Sequence, residues 1–537
     1  MQQVIEAIER LYQRAHDNVK AIVTEGDRIS AKKLNANQLA AHAVAYLATE
    51  LEACRQMANW AERVGGDYER KVARAYIGEV ARSVVGGIDL GACESISLAD
   101  LGITDGDLRE TLLLPEVTAF SAEHANGDVY LEIAAHARDH GMPNPGFDDE
   151  MLDEIRSQFS KFVDAEVIPQ AQDIHRNDVL IPMSILDQMS ELGVFGLTIP
   201  EEYGGLGMSK VAMCVVTEEL SRGYIGVGSL GTRSEIAAEL IMGGGTEEQK
   251  QKWLPAIAAG EVLSTAVFTE PNTGSDLAHL GTRATKQDDG SYVINGQKTW
   301  ITHAVRADLM TVLARTNVDE PGYRGLSMFL AEKTRRTGED GEEEFVDEGL
   351  TGTEITVLGY RGMKEYELSF EDFQVPANAL LGGEEGAGFK QLMRTFESAR
   401  IQTAARGVGV AQAALEDAIL YATEREQFGG PIFQFPRVAR KIGRMVCRIQ
   451  ASRQLTYFSA REKDHEKRCD LEAGMAKLLA TRAAWESADA NVQIHGGNGY
   501  AEEYTASRLL VDARVLSIFE GANEIQAHVV ARRLLES

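Results

Sequence analysis

The chain has 537 residues, and its 82 acidic residues against 54 Lys and Arg give a formal net charge of −28. Such a charge repels nucleic acid and anionic membranes, so neither is an expected partner. Hydrophobic residues at 44% and charged residues at 25% are the balance of a globular protein. The length is enough for roughly three or four domains.

The cysteines and the apolar runs indicate the compartment. The five cysteines contain no C-x-x-C pair, and such an unpatterned set suits a reducing compartment and offers no metal-binding framework: Cys54, Cys93, Cys214, Cys447 and Cys469. The first residues lack the basic and apolar segments of a signal peptide, and no apolar run approaches the roughly 18 residues of a membrane span. We therefore expect a cytoplasmic protein without a metal site or a membrane segment.

Residues 1–147 are predicted to form an all-helical N-terminal domain. After Leu39, apolar or small residues recur every three or four positions, as on one face of a long helix: Ala43, Leu47, Leu51, Cys54, Ala58 and Ala61. A segment rich in glycine and proline at 140–146 predicts a linker. The next region, 148–264, again has helical spacing.

Residues 265–379 differ from the regions on either side. Short runs rich in Val, Ile, Tyr and Phe alternate with turn signals, which predicts a small antiparallel β domain or barrel. Asp289-Gly290 and Asn295-Gly296 predict turns at the two ends of a short strand, 291–294. The acidic segment 334–349 is predicted to be a solvated loop without a catalytic role. Residues 380–537 return to long helical patterns.

Residues 226–231, GVGSLG, match the G-x-G-x-x-G pattern of dinucleotide-binding loops. That pattern binds a dinucleotide when it follows a strand and opens a helix. Here the preceding CVVTEELSRGYI has the spacing of an amphipathic helix. We therefore predict that this motif carries no nucleotide site.

Five short segments carry the chemical signal, and each is weak when taken alone. They occur in the order FTEPNTGSD (268–276), KTWITH (298–303), EREQFG (424–429), QIHGGNGY (493–500) and VLSIFEGANEIQ (515–526). In this order they resemble the acyl-CoA dehydrogenase family of flavoproteins. The resemblance covers residues 148 to 537 and leaves the N-terminal helical region outside the usual family outline.

The resemblance implies an α+β fold and FAD as the cofactor. The fold would comprise a helical domain, a small antiparallel β-barrel domain and a C-terminal helical bundle, here preceded by an extra all-α N-terminal domain. We expect Trp300 and Thr302, two apart on a strand, to project to the same side. By resemblance, Trp300 packs on the flavin ring and the Thr302 hydroxyl reaches the ring nitrogen that accepts hydride.

The remaining cofactor contacts are also implied by the resemblance. The expected FAD-binding set is Phe268, Thr269, Gly274, Ser275, Trp300, Ile301, Thr302, Arg425, Gln427, Phe428, Gln493, Gly496 and Gly497. In the family, the stretch that carries Arg425 touches the flavin diphosphate of a neighbouring subunit. Cofactor contact across subunits implies an obligate homo-oligomer.

Glu520 occupies the position of the family's catalytic base, which removes the α-proton of the acyl thioester. Other family members carry the base on an earlier helix, where this chain has Ala399, and alanine cannot act as a base. We expect the substrate-binding set to be Ser275, Arg233, Glu397, Arg400 and Gly521. The product would be a trans-2-enoyl thioester, and an electron-transferring flavoprotein would be the acceptor of the electrons.

Arg233 and the N-terminal domain bear on the substrate. An inward-facing Arg233 would pair with a distal carboxylate and favour a short branched dicarboxylic acyl-CoA, whereas an exposed helix salt bridge is the alternative. The long helical extension resembles the branch of the family that converts (2S)-methylsuccinyl-CoA to mesaconyl-CoA in the ethylmalonyl-CoA route. The extension could cover the surface on which dimers pair into tetramers, so we expect a homodimer.

Three other functions stay open at this point. One is a short- or branched-chain monocarboxylic acyl-CoA dehydrogenase, and another is an acyl-CoA oxidase of the same fold. The third is a helical scaffold that retains an inactive family fold. A flavin spectrum, a panel of CoA thioesters and oxygen consumption without an added acceptor distinguish them.

Overall fold

The computed structural model describes residues 1–91, 94–320, 322–338, 341–465 and 468–536. The chain divides into two compact units, Met1–Glu154 together with Thr403–Ser537, and Ile155–Gln402. Cys93 lies outside the described residues, and the other four cysteines are buried.

The N-terminal part of the first unit is helical, as predicted. Its helices are α1 (Gln2–Val23), α2 (Ala31–Ala36), α3 (Gln38–Val64), α4 (Asp67–Val84), α5 (Asp105–Arg109), α6 (Pro115–His124) and α7 (Gly127–His140). Two short hairpins pair β1 (Thr24–Glu25) with β2 (Arg28–Ile29) and β3 (Ile88–Gly91) with β4 (Glu94–Ile96). The six positions predicted to share one helix face are all buried in α3.

Helices also open the second unit. They are α8 (Glu150–Phe162), α9 (Ile168–Asn177), α10 (Met183–Glu191), α11 (Lys210–Gly223), α12 (Ile225–Gly244) and α13 (Glu247–Ala258). The GVGSLG motif lies inside α12, which confirms that it is not a strand-to-helix nucleotide loop. A Cβ at Gly228 would lie 2.0 Å from Ser221 Oγ, so this glycine permits the close packing of α11 and α12.

Strands follow the helices of the second unit. They are β5 (Ser264–Val267), β6 (Arg283–Lys286), β7 (Tyr292–Thr302), β8 (Leu309–Arg315), β9 (Leu326–Glu332), β10 (Leu350–Ile355) and β11 (Glu365–Val375). Within the described residues they form a seven-stranded sheet in the order β10-β11-β7-β6-β8-β5, with β9 also paired to β8. Most neighbours are antiparallel, while β5 and β6 pair with β8 in parallel. Tyr292, Phe329 and Phe370 are buried in the apolar core that this sheet covers.

The prediction of a turn at Asn295-Gly296 is wrong, because β7 continues through it from Tyr292 to Thr302. Asn295 is tied to the adjacent strand instead, since its Oδ1 accepts from the Asp372 N–H at 2.9 Å. A Cβ at Gly296 would lie 2.5 Å from Thr282 Oγ1. The glycine therefore serves a close approach between strands and not a chain reversal.

The acidic segment 334–349 is folded against the sheet at its C-terminal part, and residues 339–340 lie outside the described part. Arg306 Nε is 3.3 Å from the Glu343 carboxylate, and the Phe345 ring packs edge-on against Tyr366 at 5.5 Å. The expectation of a fully solvated loop therefore does not hold for Glu343 and Phe345.

The chain returns to the first unit along one long helix. The elements are α14 (Gly388–Glu424), β12 (Glu426–Gln427), β13 (Gly430–Pro431), α15 (Pro436–Asp464), α16 (Asp470–His495), α17 (Thr505–Val515) and α18 (Asn523–Glu536). None of the helices in the described part of the chain combines the length and the apolarity needed to cross a bilayer.

The N-terminal helices pack onto the C-terminal helices within the first unit. α7 and α3 both lie against α15, and α3 also contacts α18. A Cβ at Gly443 would lie 2.1 Å from the Tyr130 carbonyl oxygen, so α15 and α7 touch backbone to backbone. The predicted linker is anchored as well, because the Trp60 indole N–H donates to the Asn144 carbonyl at 2.9 Å.

A charge cluster around the buried Glu79 joins these two sets of helices. Arg444 Nη2 lies 2.6 Å and Arg448 Nη2 lies 3.5 Å from Glu79 Oε1, and Arg448 Nη1 also lies 2.9 Å from Glu50. Burial by itself favours the protonated form of Glu79, but the two arginines outweigh it and lower the pKa of Glu79 to about 2. The cluster thus fixes the N-terminal helices on α15 with paired charges.

Candidate active site

Glu520 lies in a tight turn between α17 and α18. Glu520 has φ 53° and Gly521 has φ 87°, so two successive residues adopt the left-handed conformation. That conformation is costly for a residue with a Cβ and persists where the surroundings enforce it. The Glu520 side chain is 9% exposed, which makes it a largely desolvated carboxylate.

Two fully buried side chains hold this turn. Lys477, on α16, donates from Nζ to the Phe519 carbonyl at 2.8 Å and also to the Gly521 carbonyl. Gln526, on α18, donates from Nε2 to the carbonyls of Glu520 and Gly521 at 3.4 and 3.3 Å. Together they explain why Glu520 keeps its left-handed backbone.

A buried arginine lies beside the carboxylate. Arg406, on α14, has no exposed side-chain surface, and its Nη2 is 4.0 Å from Glu520 Oε1. The same guanidinium donates to Thr403 Oγ1 at 2.8 Å and lies 4.7 Å above the Phe519 ring. In a region of low dielectric this positive charge stabilises the ionised form of Glu520.

Arg425, Gln427 and Phe428 share one exposed hairpin, formed by β12 and β13. Its two turn residues, Phe428 and Gly429, have φ 53° and 91°. Phe428 is 92% exposed, an unusual position for a large apolar ring in a strained turn. The structure thus presents the predicted cofactor residues of this segment outward.

Gln493, Gly496 and Gly497 also lie together on the surface, at the end of α16. Gly496 has φ 60°, and a Cβ at Gly496 or Gly497 would meet no atom within 4 Å, so the backbone there is open to a ligand. Tyr421 stacks on His495 at 3.9 Å and receives a hydrogen bond from Asn498 at 3.0 Å. Because Tyr421 is one turn before Arg425 on α14, the hairpin and this glycine turn lie at the same end of the first unit.

The 268–276 segment of the second unit is anchored from beneath by a buried lysine. Lys298 has no solvent exposure, and its Nζ donates to the carbonyls of Phe268 and Leu313 at 2.9 and 2.8 Å and to the Glu270 carboxylate at 3.0 Å. Burial lowers the pKa of Lys298 to about 8, and Glu270 opposes that shift. Phe268 is buried, whereas Gly274 and Ser275 are exposed at the outer end of the segment.

Trp300 and Thr302 do not share one environment. Trp300 has φ 58° and is 57% exposed, whereas Thr302 is 7% exposed. The left-handed residue interrupts the two-residue alternation that predicted a common side. Ile301 between them is buried in the sheet core.

Thr302 Oγ1 donates to the buried carboxylate of Glu365, with distances of 2.9 and 3.0 Å to its two oxygens. Glu365 opens β11, directly opposite Thr302 on β7. Glu365 was not predicted as a site residue, because nothing in the local sequence shows that this carboxylate faces inward.

Arg233 is buried in α12, at 8% exposure, and is not the exposed salt-bridging residue of the alternative. Its neighbour on the sequence, Glu235, pairs with Lys210. His303 is fully buried, and burial, then Arg306 and further arginines that include Arg233, lower its pKa to about 3. Ser264 Oγ donates to the Arg233 carbonyl at 2.9 Å, and the adjacent Thr265 Oγ1 donates to the Thr302 carbonyl at 2.7 Å. Arg233 therefore lies near the end of the strand that carries Trp300 and Thr302.

The remaining candidates lie on the first half of α14. Glu397 and Arg400 are partly buried, and the Arg400 guanidinium lies 5.9 Å above the Phe396 ring. Ala399 is 1% exposed and offers no group for proton transfer. Ser398, between them, donates to Glu239 on α12 at 2.5 Å.

Each unit therefore gathers its own candidates. Trp300, Thr302 and Arg233 fall in one region of the second unit, with the exposed Gly274 and Ser275 on a segment tied to the same sheet. Glu520 and Gly521 form a buried turn in the first unit. Four supporting residues were not predicted, since each contacts a partner that is distant in sequence: Lys477, Arg406, Lys298 and Glu365.

Family models match most of the chain. The acyl-CoA dehydrogenase N-terminal domain matches residues 149–261, the middle domain matches 265–373 and the C-terminal domain matches 386–535. Residues 1–148 lie outside these three matches.

One curated relative and two solved structures illustrate the similarity. The chain is 55% identical over 538 aligned residues to (2S)-methylsuccinyl-CoA dehydrogenase of Cereibacter sphaeroides, covering 98% of this chain and 96% of the relative. It matches butyryl-CoA dehydrogenase from Megasphaera elsdenii with a TM-score of 0.67 and 34% identity, over 72% of this chain and 98% of that one. A glutaryl-CoA dehydrogenase from Mycobacterium smegmatis in complex with FADH2 matches with a TM-score of 0.65 and 27% identity, over 72% and 95%.

These matches confirm the predicted fold class and the predicted enzyme class. The helical, sheet and helical regions follow the order of the three family domains, with the N-terminal helices added before them. The chain belongs to the acyl-CoA dehydrogenase family and is an FAD-dependent dehydrogenase of acyl-CoA thioesters.

Proposed function

We propose that this enzyme oxidises (2S)-methylsuccinyl-CoA to mesaconyl-CoA, with Glu520 as the base that removes the α-proton. The observation that carries the substrate is the similarity to the Cereibacter sphaeroides enzyme, which extends over 98% of the chain and therefore includes the N-terminal helices. Relatives that do not extend over the N-terminal helices cover 65% to 73% of the chain and are 34% to 37% identical.

The surroundings of Glu520 support its role as a base. A thioester α-proton is far less acidic than a carboxylic acid, whose ordinary pKa is about 4.3. Transfer to a carboxylate therefore needs a desolvated base and fixed donors for the negative charge that develops on the thioester oxygen. Glu520 is 9% exposed and is held in a rigid turn, and its own N–H is the protein donor that we assign to that oxygen.

The residues present fit FAD. Trp300 offers a half-exposed indole to an aromatic ring, Arg425 offers a guanidinium to a diphosphate, and Gly496 and Gly497 leave backbone open to a nucleotide. FAD, when bound, supplies the acceptor for the hydride that leaves the β-carbon, and we assign an electron-transferring flavoprotein as the next acceptor. Phe268, Thr269, Ser275 and Thr302 complete the proposed contacts of the second unit.

Phe428 supports the proposal that a second copy of the chain completes the cofactor site. The ring is 92% exposed on a hairpin whose neighbours Arg425 and Gln427 are also exposed. Aromatic side chains such as phenylalanine are enriched at protein interfaces. The N-terminal helices cover one face of α15, which supports a homodimer as the assembly.

Arg233 is the residue that we assign to the distal carboxylate of the substrate. The planar guanidinium of arginine binds a carboxylate through two parallel hydrogen bonds, and burial strengthens such a contact. The position of Arg233 near the end of β7 supports a place beside the reacting part of the thioester. Glu397, Arg400 and Gly521 complete the proposed substrate contacts.

Anaerobic bleaching of the flavin with a panel of acyl-CoA thioesters tests the proposal. Methylsuccinyl-CoA should bleach the bound flavin at the highest rate, and butyryl-CoA and isovaleryl-CoA should be much slower. A fastest rate with a monocarboxylic thioester would favour a short- or branched-chain dehydrogenase instead. Oxygen consumption at the turnover rate without an added acceptor would identify an oxidase.

The Arg233→Met variant isolates the carboxylate contact, because methionine keeps much of the volume and removes the charge. We expect kcat/KM for methylsuccinyl-CoA to fall by about 100-fold or more, as for loss of a buried charge pair, while that for butyryl-CoA stays within a few fold. Arg233→Lys is the matched control and should recover part of the loss. An equal decrease with both substrates would show that Arg233 has a structural role.

A further inference from the structure

The backbone on both sides of Glu520 is held by one buried lysine. Lys477 has no exposed surface, and its Nζ donates to the Phe519 carbonyl at 2.8 Å and to the Gly521 carbonyl. We infer that Lys477 is a positioning residue that fixes the Phe519–Glu520 peptide so that the Glu520 N–H faces the thioester oxygen. This inference rests on the proposed role of Glu520 as the base.

Peptide geometry links the two ends of this arrangement. A trans peptide is planar, and its C=O and N–H point in opposite directions. The described part of the chain contains no cis peptide bond. When Lys477 holds the Phe519 carbonyl toward α16, the Glu520 N–H must point away from α16. Lys477 therefore sets the direction of the Glu520 N–H without contacting it.

The turn needs such a tie because its backbone is strained. Glu520 and Gly521 are both left-handed, and the neighbouring peptides could rotate without breaking any regular helix. Rotation of the Phe519–Glu520 peptide would point its carbonyl oxygen at the developing enolate oxygen. The partial negative charge of the carbonyl would then repel the negative charge of the enolate. A donor that is fixed in advance lowers the barrier, whereas one that must reorient does not.

The charge of Lys477 adds to its geometry. Hydrogen bonds in a chain polarise one another in a buried environment. An ammonium on the Phe519 carbonyl withdraws electron density from that peptide and makes the Glu520 N–H a stronger donor. A neutral group of the same shape would keep the turn and lose this contribution.

Lys477→Met, compared with Lys333→Met, tests the inference. Lys333 is the matched control, since its buried Nζ also donates to backbone carbonyls, those of Val305, Ala307 and Thr334, and it has no place in the proposed chemistry. For Lys477→Met we expect kcat to fall by about 100-fold, as for loss of an oxyanion donor, with KM within a few fold. Lys333→Met should keep kcat within a few fold.

A second measurement reports on the Glu520 N–H without catalytic turnover. A 3-thiaacyl-CoA has an acidified α-proton and no β-hydrogen to transfer, and its bound enolate gives a charge-transfer band with the flavin. Titration of that band with pH gives the apparent pKa of the bound thioester. Lys477→Met should raise this pKa by about two units, equivalent to the 100-fold loss, and Lys477→Arg should restore most of it.

The outcomes separate the two proposals. If Glu520→Gln turns over at the wild-type rate, the proposed base is wrong. If Glu520→Gln is inactive and Lys477→Met keeps both wild-type kcat and the wild-type ligand pKa, the inference on Lys477 is overturned. Should Lys477→Met fail to fold, a structure of the wild-type enzyme with the analogue decides. The Glu520 nitrogen must then lie within hydrogen-bond distance of the thioester oxygen while Lys477 stays on the Phe519 carbonyl.

Discussion

Two turns of the first unit each contain two successive residues with positive φ, and they differ in their exposure and in the side chains that hold them. Phe428-Gly429 has φ 53° and 91°, and Glu520-Gly521 has φ 53° and 87°. The Phe428 ring is 92% exposed, while the Glu520 side chain is 9% exposed and its turn is held by Lys477 and Gln526. The same strained pair of residues thus presents an apolar ring outward in one place and fixes a carboxylate in the other. Positive φ alone therefore does not distinguish the two turns, whereas their surroundings do.

The largest expected effect is on the rate of flavin reduction, through Glu520. Glu520→Gln keeps the size of the side chain and removes the base, so we expect the rate of anaerobic flavin bleaching to fall by about 10³ to 10⁴-fold. Flavin content and melting temperature should stay near the wild-type values, since glutamine is nearly isosteric. Bleaching at an unchanged rate would refute the role of Glu520.

Alanine substitution of Gly429 and of Gly521 allows the stability of the two turns to be compared. A Cβ at Gly521 would lie 2.3 Å from Gln526 Nε2, whereas one at Gly429 would meet no atom within 4 Å. Gly521→Ala should cost about 2–3 kcal/mol, from the backbone and the contact together, and Gly429→Ala should cost about 1 kcal/mol, from the backbone alone. Thermal denaturation of both variants measures the difference, and equal shifts would contradict it.

Phe428→Ala tests whether the exposed turn serves a second copy of the chain. Removing an aromatic anchor from an interface typically costs more than about 1 kcal/mol, roughly a factor of ten in affinity. We expect the dimer to dissociate at about tenfold higher concentration and to release flavin more readily, as measured by analytical ultracentrifugation and absorbance. Leu358→Ala, at another apolar residue with 80% exposure, is the control and should change neither.

The smallest expected effect is the loss of stability at acid pH, which acts through Glu79 and not through either turn. The pKa of Glu79 in the folded chain is about 2 against 4.5 in the unfolded chain, so its stabilisation is complete above pH 4.5 and is lost as the pH falls toward 2. At pH 4 we expect the melting-temperature advantage of the wild type over Glu79→Gln to shrink, by an amount equivalent to about 1 kcal/mol. An advantage independent of pH would show that Glu79 is not ionised in the fold.

The sequence predicted most of what depends on local pattern. The apolar spacing after Leu39 predicted α3, and the segment around Gly226 was correctly interpreted as helical. The five motifs identified the family, and the assignment of Glu520 and of the cofactor contacts, like the domain boundaries at 147/148, 264/265 and 379/380, stays a prediction. Asn295-Gly296 misled because its turn signal is local, whereas Asp372 and Thr282, which hold it in a strand, are distant in sequence.

The supporting groups could not be predicted for the same reason. Lys477 looks like an ordinary helical lysine in the sequence, and its partners lie more than forty residues away. Arg406 and Glu365 likewise have their partners, Glu520 and Thr302, on other elements of the fold. Burial of a charge is a property of the folded chain, and one sequence without its fold does not reveal it.

Gly443 gives experimental access to the N-terminal helices. The hydrogen atom at that α-carbon is all that separates α15 from the Tyr130 carbonyl, and an added methyl group would act as a wedge at this point. A single alanine at this position would therefore weaken the contact between α7 and α15 without deleting any residue. Comparison of this variant with the wild type would show how far the packing of the N-terminal helices on α15 contributes to activity.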